Sequence, residues 1–248
     1  MSDIRNKIFD KYYEYRSVSA DMNDKSKLKR HYDRVVKYNY IPFFRREYKS
    51  LLEIGCYTGY TLQSLTDLKT FSVLEGLEIS PSAAKIAREN TGLTIYTEDA
   101  FKFLPNKKAT YDVIIMKAVL EHIIKEKSGM LLNLIYQSLK PGGVAILSVP
   151  NMDWISATHE RYMDLTHETG YTIESFNDIM NMYFDKTQVR TMKYDFIYGI
   201  GSFVRIVILQ PLVKLFIKSI YKILGQGAYR RSMFDRSLIA AGWKNKTL

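Results

Sequence analysis

The residues of this 248-residue chain that could do chemistry fall into two groups. The first is Glu53-Ile54-Gly55-Cys56-Tyr57-Thr58-Gly59, followed by Glu78 and then by Asp99-Ala100. Two glycines four residues apart let the backbone turn sharply and approach a ligand closely. Glu78 stands where a carboxylate accepts hydrogen bonds from ribose hydroxyls in open α/β folds. The second group is the four histidines, His31, His122, His159 and His167. Imidazole titrates near neutral pH, so each is a candidate for moving a proton. His159 and His167 share a polar stretch, 151–172, whereas His31 lies in a basic N-terminal stretch and reads as a surface residue. Cys56 is the sole cysteine, which excludes an internal disulfide framework and a multi-cysteine zinc site.

The elements that must position these residues alternate along the chain. Apolar runs at 50–54, 73–79, 93–97, 111–116 and 143–149 read as strands, with helical spacing between them at 81–90 and 127–139. Pro141-Gly142-Gly143 marks a turn before the fifth run, and Pro150 ends it. A helix near 173–184 and strands at 188–196 and 238–243 follow. Strand–helix alternation of this kind predicts a parallel sheet covered on both faces. Glu53, Glu78 and Asp99 each end a strand and so fall on one edge of that sheet, where ligands bind in open α/β folds. Residues 2–48 are expected to be helical, with Ile8, Tyr12, Tyr15, Leu28, Tyr32, Val35 and Val36 at three- and four-residue spacing.

Composition is that of a globular protein, 46% hydrophobic and 25% charged, which excludes a disordered chain and a collagen. The net charge of +10 is unevenly placed. Residues 1–50 carry 13 Lys and Arg against 7 Asp and Glu, 51–185 carry 11 against 17, and 186–248 carry 12 against 2. Basic ends flanking an acidic middle suit an anionic partner: nucleic acid, a membrane surface or a phosphorylated substrate. The segment 203–224 is apolar, but Arg205, Lys214, Lys218 and Lys222 interrupt it, and its longest uncharged run, 206–213, is too short to cross a bilayer. Beyond Pro211 the lysines lie along one side, with Leu212, Leu215, Phe216, Ile220 and Ile223 on the other. That pattern fits an amphipathic helix at a membrane interface, a lid, or a contact with a second copy of the chain. Residues 1–20 lack the apolar run of a signal peptide, so the expected location is cytoplasmic, with peripheral contact at the inner membrane surface through 203–224.

The blocks LLEIGCYTGYTLQSL, GLEISPSAAKIAREN, TEDAFKFLP, YDVIIMKAVLEHI and LKPGGVAILSVPN stand in an order and spacing similar to those of the class I S-adenosylmethionine-dependent methyltransferases. They cover about residues 40–151, and DLTHETGYTIESF extends a weaker match to 176. The resemblance implies a Rossmann-like, seven-stranded, mostly parallel sheet with helices on both faces. It divides the chain into a helical cap (1–48), a cofactor-binding core (49–200) with an acceptor loop at 151–172, an amphipathic helical insertion (201–235), and a final strand and tail (236–248). It implies S-adenosyl-L-methionine as cofactor and S-adenosyl-L-homocysteine as product. On it Glu53, Gly55, Cys56, Tyr57 and Gly59 line the methionine end, Glu78 holds the ribose, and Ile79 packs on the adenine. Asp99 and Ala100 meet the adenine edge, and Lys117 contributes backbone beside the sulfonium. His122 stands near the cofactor; the DxxH resemblance makes Asp164 the partner that orients His167 as general base, with His159 in the same loop.

Two departures bear on the chemistry. Tyr57 replaces the glycine usual between Gly55 and Gly59, and the form EIGxxTGY also resembles the metal-dependent catechol-type O-methyltransferases, which tolerate a bulky residue there. Those enzymes place an Asp after the fourth strand and Asp-Asn after the fifth, where this chain has Lys117 and Pro150-Asn151. A lysine does not serve a divalent ion as a carboxylate does, so metal-independent chemistry is expected. The predicted activity is O-methylation of a small anionic acceptor, phosphorylated or linked to a nucleotide or lipid, such as a cell-surface glycan precursor. Methylation of a nucleic-acid amine is disfavoured, because Lys117-Ala118-Val119-Leu120 replaces the Asn/Asp-Pro-Pro-aromatic motif. Methylation at a base carbon is disfavoured because Cys56 lies in the cofactor turn. A non-catalytic, methyltransferase-like partner subunit is the third alternative.

Overall fold

A computed structural model describes residues 24–225 and 231–245, together with Ile8. The expected helical positions Tyr12 and Tyr15 lie outside the described residues. Helix α1 (Lys25–Val35) begins at Asp24, whose carboxylate accepts the amides of Ser26 and Lys27 and so satisfies two donors that the first helical turn leaves free.

Seven strands form one sheet: β1 (Ser50–Ile54), β2 (Val73–Leu77), β3 (Thr94–Tyr96), β4 (Tyr111–Lys117), β5 (Leu139–Pro150), β6 (Lys186–Thr191) and β7 (Ser237–Trp243). Their order is β3-β2-β1-β4-β5-β7-β6. All pairs from β3 to β5 are parallel, and β7 runs antiparallel to both β5 and β6. The crossovers are α2 (Tyr60–Thr66), α3 (Pro81–Thr91), the single turn α4 (Ala100–Phe103) and α5 (Lys125–Ser138). Next come α6 (Ala157–Tyr162), α7 (Ile173–Tyr183) and the long helix α8 (Ile200–Ile223).

Side chains alternate across a strand, so successive residues serve opposite faces. On one face Leu52, Ile54, Ile114, Met116, Ala145 and Leu147 meet Leu131, Leu132 and Ile135 of α5 and Phe176 and Met180 of α7. On the other, Leu51, Val113, Ile115, Val144 and Ile146 meet Val35 of α1, Leu62 and Leu65 of α2 and Ala84 and Ala87 of α3. Glu53 follows Leu51 on this second face, and its register partner is Ile115. Lys117, two residues beyond Ile115, therefore emerges on the same side, beneath α1. One strand later the expected turn at Pro141-Gly142-Gly143 is a bulge inside β5: the register jumps from Tyr111–Leu139 to Val113–Val144. A Cβ on Gly143 would lie 2.9 Å from the Asp112 carbonyl oxygen.

Helix α8 includes a wider π-turn at Val204–Leu209, just before Pro211, which has no N–H to donate to the preceding turn. Arg205 and Gln210 tie α8 to the Asp195 carboxylate, each at 3.1 Å. None of its residues is buried.

Candidate active site

A cleft of about 570 Å³ opens at the carboxyl ends of β1, β2 and β4. Its floor is the turn after β1. Gly55 (φ +70°) and Gly59 (φ +82°) occupy the left-handed region, as glycine permits. Tyr57, between them, is also left-handed (φ +49°), so the tyrosine keeps the backbone conformation that a glycine would supply. The Tyr57 amide donates to Glu78 Oε2 at 2.8 Å, and the Ser80 amide donates to Glu78 Oε1 at 2.9 Å. Burial pushes the Glu78 carboxyl up, while these amides pull it down. Ile79 is 47% exposed at the cleft wall, and Asp99 accepts the Phe101 amide at 2.7 Å, beginning α4 beside Ala100. Cys56 is buried beneath the turn, where burial pushes its thiol up and away from nucleophilic use.

Glu53 is 2% exposed, and its Oε2 has no hydrogen-bond partner among the described residues. Burial raises its pKa to about 8, against the opposing pull of the Lys117 charge and the Thr61 hydroxyl. The Lys117 side chain does more than sequence reasoning expected of it. Its Nζ donates to Tyr32 Oη at 3.2 Å and lies 4.4 Å from the Tyr32 ring centre. Tyr32 in turn stacks on Tyr60 at 5.6 Å. His31 is not the surface residue expected: it is half-buried, stacked 6.0 Å from Tyr194 and edge-on to Phe196, and burial lowers its pKa.

The opposite wall comes from the turn after β4 and from the loop after β5. Leu120–His122 form a 3-10 turn whose Glu121 carbonyl accepts the amides of Glu168 and Thr169, at 2.7 and 3.0 Å. The two segments are thereby pinned together, and the rings of His122 and His167 lie 4.8 Å apart. His122 Nδ1 is 2.8 Å from Thr166 Oγ1, which donates its own proton to Asp164 Oδ1 at 2.6 Å. Asp164 therefore backs His122 through Thr166, and His167 is oriented instead by the Glu160 carbonyl, 2.9 Å from its Nδ1. This corrects the expected Asp164–His167 pairing: Asp164 also accepts the Thr166 amide at 2.9 Å, which spends its carboxylate on a local turn. Because each Nδ1 faces an acceptor, the neutral form of either ring carries its lone pair on Nε2. Glu121 is 2% exposed, and burial, with Asp164 adding to it, raises its carboxyl to about 8. His159 is exposed on α6 and does not line the cleft.

The methyltransferase-domain family matches residues 25–204 of this chain. The chain belongs to the class I S-adenosylmethionine-dependent methyltransferases. The chain is 35% identical over 104 residues to the ubiquinone biosynthesis O-methyltransferase of Rickettsia prowazekii, covering 41% of this chain and 40% of that protein. It is 27% identical over 146 residues to a malonyl-[acyl-carrier protein] O-methyltransferase of Ilyobacter polytropus, covering 56% and 55%. The chain thus spans about half the length of the curated relatives it matches. A SAM-dependent methyltransferase from Archaeoglobus fulgidus superposes with a TM-score of 0.65 at 18% identity, over 87% of this chain and 94% of that one. The plantazolicin methyltransferase, solved with SAH, superposes at 0.62 and 17% identity, over 98% and 96%.

Methyltransferases of this fold take S-adenosylmethionine, and this cleft fits that cofactor. Its volume is within the range of small-molecule sites. The unpartnered Glu53 oxygen belongs to a carboxyl that burial keeps protonated up to about pH 8, and the cofactor's ammonium group can supply the charge and donor that favour its ionised form. Sequence reasoning missed Tyr32, Tyr60 and Tyr194, which also line this cleft. Tyr32 sits in a helical stripe with Leu28, Val35 and Val36, a pattern that looks the same for a core residue and a cleft residue.

Proposed function

We propose that this methyltransferase transfers a methyl group to an oxygen of a small acceptor bound against His122 and His167. The observation that carries this reading is the imidazole pair, tautomer-fixed and facing the same cleft as the glycine turn. Glu53, Gly55, Cys56, Tyr57 and Gly59 would hold the methionine end of the cofactor, Glu78 the ribose, and Ile79, Asp99 and Ala100 the adenine. The cofactor supplies an electrophilic methyl on a sulfonium. A neutral hydroxyl attacking it must lose a proton, and an Nε2 lone pair held in place by an Nδ1 hydrogen bond is suited to accept one. Two curated relatives are named as O-methyltransferases, which supports oxygen as the acceptor atom.

The acceptor in this proposal is anionic, phosphorylated or linked to a nucleotide or lipid, as in the assembly of surface glycans. Basic ends around an acidic middle favour such a partner. The same proposal puts α8 on an anionic membrane surface, with the protein otherwise cytoplasmic. Leu212, Leu215, Phe216 and Ile223 are exposed along it, beside Lys214, Lys218 and Lys222. Contrary to the expectation drawn from its longest uncharged run, the helix over Ile200–Ile223 is by length and composition long and apolar enough to cross a bilayer. Crossing conflicts with the sheet, however: Thr191 of β6 pairs with Leu238 of β7, so both ends of the helix must return to one side. The return would carry Arg236 through lipid.

The test is methyl transfer from labelled cofactor to a panel of sugar nucleotides, phosphorylated metabolites and phenols. His167→Ala should lower turnover about a hundredfold on the true acceptor. Turnover unchanged in both His167→Ala and His122→Ala would exclude the imidazole pair as the base.

A further inference from the structure

Glu121 is difficult to account for by acid–base roles alone. It is 2% exposed, it lines the cleft, and neither carboxylate oxygen has a hydrogen-bond partner among the described residues. Leaving a buried carboxylate unsatisfied costs several kcal/mol unless a ligand completes it. One ligating atom each from Glu121, His122 and His167 lie within 4.8 Å of one another. Donors held 2.0–2.2 Å from one ion sit roughly 3–4 Å apart, so small side-chain adjustments bring the three into range.

The histidines are also prepared as metal-binding histidines are. Such a residue gives its second ring N–H to a carbonyl, hydroxyl or carboxylate, which fixes the tautomer and raises the basicity of the ligating nitrogen. His167 Nδ1 faces the Glu160 carbonyl, and His122 Nδ1 faces the Thr166 hydroxyl, itself backed by Asp164. The Glu168 and Thr169 amides on the Glu121 carbonyl hold the two ligand-bearing segments in register.

We propose that Glu121, His122 and His167 form a divalent-cation site on the acceptor side of the cleft, with open positions for an oxygen of the acceptor. Two imidazole nitrogens and one carboxylate select a borderline first-row cation, manganese to zinc, over magnesium or calcium, which favour all-oxygen shells. The expectation of metal-independent chemistry rested on Lys117 and Pro150-Asn151 and concerns a different set of positions. The site keeps the acceptor of the O-methylation reading, on which it rests, and replaces the base in it: here the imidazoles hold an ion rather than take a proton. Loss of turnover in His167→Ala fits either role, so cation binding is what separates them.

The experiment is calorimetric titration of the chelator-stripped full chain with Zn²⁺ and with Mn²⁺, alongside titration with S-adenosylhomocysteine. One equivalent of cation should bind, at least tenfold weaker in Glu121→Gln and in His167→Ala and unchanged in His159→Ala. S-adenosylhomocysteine should bind all four proteins within about threefold, which shows that the variants fold. No saturable cation binding, or binding equally strong in Glu121→Gln and His167→Ala, overturns the site. Failure of the wild-type chain to bind S-adenosylhomocysteine would instead strike the cofactor reading and leave the cation result to stand by itself.

Discussion

Replacing Glu53 by glutamine should move stability and cofactor affinity in opposite directions. The Glu53 carboxyl is raised from 4.5 to about 8 by burial. Between those values the folded protein keeps a proton that the unfolded chain has released, so wild-type stability falls as pH rises through the window. The slope is about 1.4 kcal/mol per pH unit, and the full loss reaches about 5 kcal/mol by pH 8. Below pH 4.5 the term is absent. Glutamine titrates nowhere, so the variant should gain on wild type steadily from pH 5 to pH 8 in urea melts. Glu121 adds a slope of its own in the same window, so the difference between the two proteins is the quantity to read. The same substitution removes the anion available to the cofactor's ammonium group and should weaken S-adenosylhomocysteine binding at least tenfold at pH 8, about 1.4 kcal/mol. Parallel stability curves from pH 5 to pH 8 would refute the burial argument. A stabilised variant with unchanged affinity would refute the placement of the methionine end.

Other substitutions test separate parts of the structure. A Cβ on Gly55 would lie 2.3 Å from Val119 Cγ2, and φ is +70° there. Gly55→Ala should therefore cost about 1–3 kcal/mol in unfolding measurements, and adding Val119→Ala should recover part of that loss; full recovery would mean the backbone is unstrained. Thr166→Val breaks the link from Asp164 to His122 and should cost about 1–3 kcal/mol; it should also displace the pH profile of turnover, and an unmoved profile would show that the link does not reach the chemistry. Replacing Lys214, Lys218 and Lys222 by glutamine should abolish binding to vesicles of anionic lipid at low salt, where the wild type sediments with them; a wild type that stays in solution but dimerises by light scattering would assign α8 to a second copy.

The fold was legible because each strand carries its own punctuation. Strand β1 was read at its observed bounds, with its carboxyl end marked by Glu53 and Gly55, and β4 was read within one residue. The sixth strand was harder: it was expected at 188–196 and is Lys186–Thr191. Beyond it Met192 and Phe196 stay apolar because they pack under α1, not because they continue the ladder. The glycine-turn side of the cleft was legible as a place for a related reason, since its residues follow strand ends and backbone geometry aims them. The acceptor side was not. Asp164 and His167 are three apart, and the DxxH resemblance suggested a pair. The intervening Thr166 took the carboxylate through a turn two residues long and passed it to His122, which is 44 residues away in sequence. No local pattern encodes that. Lys117 was expected to offer backbone, and only the placement of α1 over β4 reveals the Tyr32 hydroxyl that its side chain meets.

Glu53 and Glu121 end on opposite walls of one cleft, each buried to 2% exposure and each with an unpartnered oxygen. A fold selected for stability alone would exchange both for apolar side chains, since an unpaired buried carboxylate costs more than the packing it replaces. Their positions indicate what offsets the cost. Glu53 faces the glycine turn, and Glu121 faces two imidazoles whose lone pairs are already oriented by hydrogen bonds on the far side of each ring. Each acid thus waits for positive charge from a different source, an ammonium group in one case and a cation in the other. If both are filled on binding, the unliganded protein is at its least stable in the pH range where the carboxylates ionise, and ligands should raise its melting temperature most there. Melting temperatures at pH 6 and pH 8, with and without S-adenosylhomocysteine and Zn²⁺, measure that coupling. A ligand shift that is the same at both pH values would mean that the carboxylates are satisfied by something other than the groups bound in the cleft.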